Sequence, residues 1–253
     1  MIDDPLFYAV AIPAVLLVAI NKTGFASGLG VLGVPLIALA VPPLQAAAIM
    51  LPVLVVMDLF AMWAYRRRWD RANMRIILPA GLVGVGIGWL SAGLLSPHAI
   101  KFLVGLVAVA FTLHYWFAPR QLAPVAPQPV KGYAWSTVAG YTSFLAHSGG
   151  PPLSVFLLPQ RMAPALLVGT SVVYWGMLNY AKLVPYAALG QFDTRNLLTA
   201  LVLLPLAPLG TRIGLWMIRH VAPTWFYRVC YTLTFLIGLK LVWDGLAPVL
   251  KGG

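Results

Sequence analysis

Asp58 stands in the middle of an apolar run from about residue 44 to 65, and Asn179 and Lys182 lie within another from about 165 to 187. An ionisable side chain in such a run costs roughly 2.5–3.5 kcal/mol to insert into a bilayer, so its presence points to work done there. Asn179 and Lys182 are three residues apart and share one face of a helix. An ammonium on that face attracts an anion, while a carboxylate at Asp58 can titrate or pair with a cation. The structural alternative makes Asp58 the salt-bridge partner of Lys182 or Arg212, or lets Lys182 snorkel toward the end of its helix.

A second kind of signal is glycine mixed with hydroxyls inside apolar sequence. Asn21 to Pro35 reads NKTGFASGLGVLGVP, placing Lys22, Ser27, Gly28 and Gly30 together, and Thr142 to Pro152 reads TSFLAHSGGPP, with Ser143, His147, Ser148, Gly149 and Gly150. A span that only fills hydrocarbon does not need this composition, whereas glycine frees the backbone to break its helix and offer polar groups. The double proline Pro151-Pro152 removes two backbone donors and forces a helix to stop or restart. A helix beginning at such a break turns N–H groups and the positive end of its dipole inward, which suits an anion. The hydroxyls and His147 add donors. Close helix packing is the plainer explanation for glycines with no polar company, as at Gly84, Gly86 and Gly88. His98, His114 and His220 carry no assignment.

The elements that must hold these residues are membrane helices. The 253-residue chain is 61% hydrophobic and 9% charged, against roughly 25% charged in soluble domains. Its mean hydropathy is +0.88. A net charge of +11 would suggest nucleic acid in a soluble protein, but Arg66, Arg67, Arg68, Arg71 and Arg75 crowd one loop between apolar runs, which is a topology signal. No nucleic-acid partner is expected. The opening MIDDP lacks a positive n-region, so no cleaved leader is expected. One cysteine, Cys230, excludes an internal disulfide, and no Cys/His spacing suggests a metal or other cofactor. Trp63, Tyr65, Trp69, Tyr115, Trp116 and Trp243 fit interfacial belts.

Apolar segments fall at about 5–21, 24–41, 44–65, 76–95, 99–118, 133–147, 151–159, 165–187, 196–217 and 225–248, most near the roughly 20 residues a crossing needs. Residues 119–131, PRQLAPVAPQPVK, form a linker between a first unit, 1–118, and a second, 132–253. The units repeat each other. Leu78-Pro79, Gly84 and Ile87-Gly88 return 126 residues later as Leu204-Pro205, Gly210 and Ile213-Gly214. Asp70 and Asn73 return as Asp193 and Asn196, Pro43 as Pro164, Tyr65 as Tyr186, and Asn179 falls opposite Asp58.

If each broken segment turns back, each unit has five segments and the second is inverted. If not, each has four and they run parallel. With the Arg66–Arg75 loop inside, five segments place Lys22, Arg120, Lys131, Arg161, Arg219 and Arg228 inside, leaving Lys101, Arg195 and Lys251 outside. Four segments move Arg161, Arg219 and Arg228 outside, so the positive-inside rule favours inversion. The expected fold is an all-α polytopic membrane protein of about 8–10 membrane segments. Its two internally repeated, inverted halves each carry a broken or re-entrant glycine-rich segment.

Gly24-Phe25 through Gly33-Val34-Pro35, then Tyr65 to Asp70, Ser143 to Pro152, Gly169-Thr170-Ser171 and Asn179 together resemble the TauE/SafE family of sulfite exporters, small secondary anion transporters. By that resemblance Gly28, Gly30, Gly33 and Pro35, and in the second half His147, Gly149, Gly150, Pro151, Gly169, Thr170 and Asn179, fall on family motif positions. The first half departs from the pattern, because Ala46 to Leu51 lacks the Thr-Ser pair of the second, which makes polar coordination asymmetric. The resemblance implies a multi-pass permease of the cytoplasmic (inner) membrane moving sulfite, a sulfonate or another organosulfur anion, without a cofactor. The expected substrate-binding set is Lys22, Ser27, Gly28, Gly30, His147, Ser148, Gly149, Gly150, Thr170, Asn179 and Lys182, with Asp58 for coupling to a proton or another ion, or for gating. A passive anion channel is the main alternative, and a membrane scaffold subunit another. An enzyme is not expected, since the chain has no glutamate, only Asp58 and Asp244 as within-span carboxylates, and no histidine neighbouring Cys230 in sequence.

Overall fold

The computed structural model describes the backbone of residues 1–24, 32–117, 124–220 and 223–250. Side chains are described at these positions except 23–24, 214–215, 217–220, 223–227, 229–230 and 249–250. Ser27, Gly28 and Gly30, the first part of the 119–131 linker and the side chain of Cys230 therefore lie outside the described residues.

Helices joined by turns and short irregular stretches account for the described residues, with no strand among them. In chain order they are α1 (Pro5–Gly24), α2 (Gly33–Ile37), α3 (Pro43–Tyr65), α4 (Arg71–Ala92), α5 (Pro97–Phe117) and α6 (Pro129–Ala146). There follow α7 (Gly150–Leu157), a 3-10 turn (Leu158–Gln160), α8 (Pro164–Ala188), α9 (Thr194–Leu203), α10 (Leu206–His220) and α11 (Pro223–Leu250). Proline opens many of them, where its fixed φ suits a first turn and its missing N–H costs nothing. The repeated Asp-x-x-Asn is a repeated N-cap: Asp70 accepts from the Asn73 backbone N–H at 2.6 Å, and Asp193 from that of Asn196 at 2.7 Å.

Two expected segments are cut differently. Within the 24–41 run the described helix is the five-residue α2, and the 196–217 run is split into α9 and α10 at Leu204-Pro205. Pro205 has no N–H to give the carbonyl one turn back and its ring crowds that carbonyl, so the helix breaks there. Pro79 sits inside the continuous α4.

Among the described residues five stretches are long and apolar enough to cross a bilayer: Pro5–Lys22, Pro43–Tyr65, Arg71–Ala92, Pro97–Phe117 and Thr194–Ile213. Leu59, Phe60, Trp63, Val83, Leu90 and Leu201 point outward from such stretches and are exposed, as lipid-facing side chains are. The protein is an all-α polytopic membrane protein.

α3 and α8 pack against each other near the centre, with α4 against α6 and α8, α1 against α10, α3 against α9, and α5 against α11. The α4–α6 contact is made by glycine. A Cβ at Gly84 would lie 2.0 Å from the Thr137 carbonyl, and one at Gly140 2.0 Å from that of Gly81. Gly88 meets Phe144, whereas Gly86 faces open space.

The connections sort into two ends. At one, the Asp70 N–H donates to Thr170 Oγ1 (2.8 Å), and Asn73 and Gln160 exchange amide hydrogen bonds (2.8 and 3.1 Å), so the α3–α4 loop meets the α7–α8 connection. At the other, Gln45 donates to Asn196 (2.9 Å) and the Ile2 N–H to Thr199 (3.0 Å). A cavity of about 370 Å3 there is bordered by the α2–α3, α4–α5 and α8–α9 turns.

Candidate functional site

Four broken or polar-bearing helices converge between these ends. α1 ends with Lys22 in its last turn. α3 carries Asp58, α6 ends at Ser143 and His147, and α8 carries Asn179 and Lys182. His147 stops α6 by taking the left-handed conformation (φ 50°) while its N–H still closes on the Ser143 carbonyl at 3.0 Å. That turn aims the imidazole across the bundle, where Nε2 lies 2.9 Å from the Ala47 carbonyl and Nδ1 2.8 Å from the Lys182 Nζ. A carbonyl only accepts, so Nε2 carries the proton and Nδ1 is left to accept from Lys182.

Lys182 is fully buried, and its amine also meets Ser143 Oγ at 2.9 Å and the Ser143 carbonyl at 3.2 Å. The three protons of an ammonium thus find three acceptors, all of them neutral. Among the described residues no carboxylate lies within ion-pair distance of it, the two ion pairs being Lys22–Asp58 and the surface pair Lys240–Asp244. The backbone that supplies these acceptors is itself pinned, because Tyr186 donates its hydroxyl proton to the Phe144 carbonyl and Tyr174 donates to that of Ser136 (3.3 Å).

Asp58 is also buried. One carboxylate oxygen pairs with the Lys22 ammonium and the other accepts from Asn179 Nδ2 at 2.6 Å. Its partner is therefore neither Lys182, which is turned toward α6, nor Arg212, which is exposed.

These groups surround a cavity of about 150 Å3. Lys22, Asp58, Ser143, His147, Gly150 and Asn179 line it directly, and Lys182 stands behind Ser143 and His147. Other expected positions lie elsewhere. Ser148 is buried and bonds the Ala146 carbonyl (3.1 Å). Gly149 is wedged against the Ala139 carbonyl and Trp175, where a Cβ would not fit. Thr170 donates to the Leu166 carbonyl (2.7 Å) and accepts from Asp70, so it fastens the α3–α4 loop, and the next residue, Ser171, reaches the cavity. Helix α7 offers little to an anion, because Pro151 and Pro152 fill its first turn and leave Gly149 and Gly150 as the glycine donors at its opening. The positive character of the site rests on side chains.

Asn21, Ser154, Ser171 and Trp175 line the cavity outside the expected binding set, although Asn21 opens the first broken stretch and Ser171 belongs to the Thr-Ser pair. The signal for two of them was present: Ser171, Trp175 and Asn179 recur every four residues, one face of α8.

A family model described as "Sulfite exporter TauE/SafE" matches residues 11–241, a span that includes every residue named around the cavity. The chain belongs to the TauE/SafE family of sulfite exporters. No curated protein and no solved structure matches it. The TauE/SafE family is one of transporters, so the chain is an integral membrane protein that acts on a small molecule within a lipid bilayer. In this TauE/SafE member the cavity wall holds the Lys22 ammonium, one carboxylate, one imidazole and several neutral donors, with the Lys182 ammonium immediately behind.

Proposed function

We propose that this chain is a secondary transporter, exporter or permease, of a small anion in the cytoplasmic membrane. Sulfite, a sulfonate or another organosulfur anion is the cargo, moved by alternating access around the central cavity. The observation that carries this reading is Lys182: a fully buried amine held by three neutral acceptors, with no carboxylate within ion-pair distance among the described residues. A buried charge is tolerated when something compensates it, and an anion entering the adjacent cavity does so. The size of the cavity agrees, since a cavity of about 150 Å3 accommodates a six-membered carbon ring and so admits an anion of only a few heavy atoms.

The alternating-access part rests on inverted halves, and the packing supports them. Let α1, α2, α3, α4 and α5 correspond to α6, α7, α8, α9–α10 and α11. The α4–α6 pair then exchanges with α10–α1 and the α4–α8 pair with α9–α3, while α3–α8 and α5–α11 each map onto themselves. Gly84 meets α6 where its counterpart Gly210 meets Ala19 and Leu16 of α1. The cavity wall follows the same rule: Met50, Leu54 and Asp58 on α3 answer Ser171, Trp175 and Asn179 on α8, and Val18 and Lys22 answer Ser143 and His147. Asp58 and Asn179, equivalent positions, touch each other, as residues beside a two-fold axis do. Sites at the interface of inverted repeats are the common arrangement in secondary transporters.

The test is flux of sulfite and of methanesulfonate in proteoliposomes for the full chain and for Lys182→Gln and His147→Ala. Both variants are expected to stay folded, with anion transport reduced about tenfold or more, the scale of one lost charge-assisted contact. Wild-type flux in either variant would remove that residue from the site. Counterflow separates a carrier from a channel, because acceleration by trans-side anion requires a carrier cycle.

A further inference from the structure

The anion reading leaves one group unexplained. A carboxylate in the wall of an anion site repels the substrate, and the described structure has one there, buried in the lining. Its two oxygens are not spare. One holds the Lys22 ammonium and the other the Asn179 amide, and both of those donors themselves line the cavity. They come from different helices, α1 and α8, so the carboxylate ties together two elements that the cavity separates. The donors an entering anion would use are thus already occupied by an anion that belongs to the chain.

We infer that Asp58 is a tethered competitor for the substrate: its carboxylate takes the donors of Lys22 and Asn179 when no substrate is present, and the transported anion takes them in its place. The inference rests on the anion-transport reading and adds how Lys22 is kept paired when the site is empty. A carboxylate and a sulfonate or sulfite both present oxygens to N–H donors, so one set of donors serves either. Like charges sharing such a site repel, so the two states exclude each other. The empty carrier keeps Lys22 paired, so it does not have to move an exposed charge through the bilayer. The loaded carrier pairs Lys22 with its cargo. Asp58 therefore weakens binding of the anion and in return permits release and the return of the empty carrier. It is a positioning residue that acts through Lys22 and Asn179.

A merely structural Asp58 and a competing one give opposite signs. The full-length protein and its Asp58→Asn and Asp58→Glu variants are titrated calorimetrically with methanesulfonate, and net efflux and counterflow are measured in proteoliposomes. Asp58→Asn is close to isosteric, can still accept from Asn179, and frees Lys22. It is expected to bind methanesulfonate about tenfold more tightly, the scale of one unmasked charge contact. Net efflux should fall with KM and kcat both lowered, while counterflow persists because that mode needs no empty return. Asp58→Glu restores the charge and should bring affinity back toward wild type. Wild type that binds methanesulfonate, with Asp58→Asn binding equally or more weakly, overturns the competitor and leaves the anion reading standing. No binding by either folded protein overturns both. Should Asp58→Asn fail to fold, infrared difference spectra of the wild type decide. All six acidic residues are aspartates, and among the described residues Asp58 is the buried one. Saturating methanesulfonate must then shift a buried carboxylate band, and an unchanged carboxylate region overturns the inference.

Discussion

Ser143 does two jobs for Lys182, accepting with its hydroxyl and with its carbonyl, and replacing it separates them. Ser143→Ala keeps the carbonyl and removes the hydroxyl, leaving one proton of the buried amine without its protein acceptor. An unmade hydrogen bond to a buried group costs about 1–3 kcal/mol, and more when the group is charged. The variant should melt at lower temperature than wild type in detergent, and added sulfite should recover more of that loss than it adds to wild type, since a ligand for the folded state stabilises it. An unchanged melting temperature would mean that this bond contributes nothing. At this scale the sequence was readable where chemistry is costly. Asp58, His147, Asn179 and Lys182 stand out as polar groups in apolar runs or breaks, and all four meet at or beside the cavity. What it did not supply was pairing. Spacing puts Asn179 and Lys182 on one helical face but does not say which neighbouring helix that face meets, so the structural alternative for Asp58 names Lys182 or Arg212 where the structure has Lys22. The same gap put Thr170 in the site, when the hydroxyl that reaches the cavity is one residue on, at Ser171.

Helix pairs in a bilayer approach through small residues, because lipid tails leave little hydrophobic drive to bring them together. The α4–α6 pair makes the requirement local enough to test. A Cβ at Gly84 meets the Thr137 carbonyl, which is backbone and cannot swing aside, whereas a Cβ at Gly86, half a turn away, meets nothing within 4 Å. Gly84→Ala should therefore push α4 off α6 and destabilise the fold by about 1–3 kcal/mol or more, the usual cost of overpacking. Gly86→Ala should be neutral or stabilising by up to about 1 kcal/mol, since alanine is the better helix former. Thermal melts of the pair give the answer, and equal destabilisation would refute the assigned contact. Sequence alone offered packing for both glycines, because a row of small residues shows that a helix is approached closely but not on which side. Element breaks were legible in a similar, partial way. Gly-Gly-Pro-Pro marked the end of α6 and start of α7 correctly, since two prolines cannot continue a helix. Leu-Pro occurs in both α4 and the α9–α10 run, yet only the second breaks among these helices, so what surrounds the proline decides.

Which connections share an end of the bundle decides between inverted and parallel halves, and the two arrangements make opposite statements about the same loops. Parallel four-segment halves would put the α7–α8 connection on the face opposite the Arg66–Arg75 loop. The hydrogen bonds of Asp70 to Thr170 and of Asn73 to Gln160 hold the two together at one end. Parallel halves would equally separate the α8–α9 turn from the α2–α3 and α4–α5 turns, which jointly border the 370 Å3 cavity at the other end. Sparse repeat identities and the arginine distribution were enough to propose inversion from sequence, because topology is written in loop charge and loops are where a membrane chain is least constrained by packing. They do not say which residues would meet across the proposed two-fold, a place that the contact between Asp58 and Asn179 fits. Arg67, Arg161, Ser96 and Thr194 are all exposed, and each can be replaced singly by cysteine in a Cys230→Ser background. A membrane-impermeant maleimide applied to intact cells should label Ser96→Cys and Thr194→Cys. Arg67→Cys and Arg161→Cys should react only after permeabilisation, because the positive-inside rule assigns the arginine-rich loop to the cytoplasm. Parallel halves require the opposite result for two of the four, with Arg161→Cys reacting from outside and Thr194→Cys protected. That pattern would also undo the correspondence between Asp58 and Asn179 on which alternating access about this cavity depends.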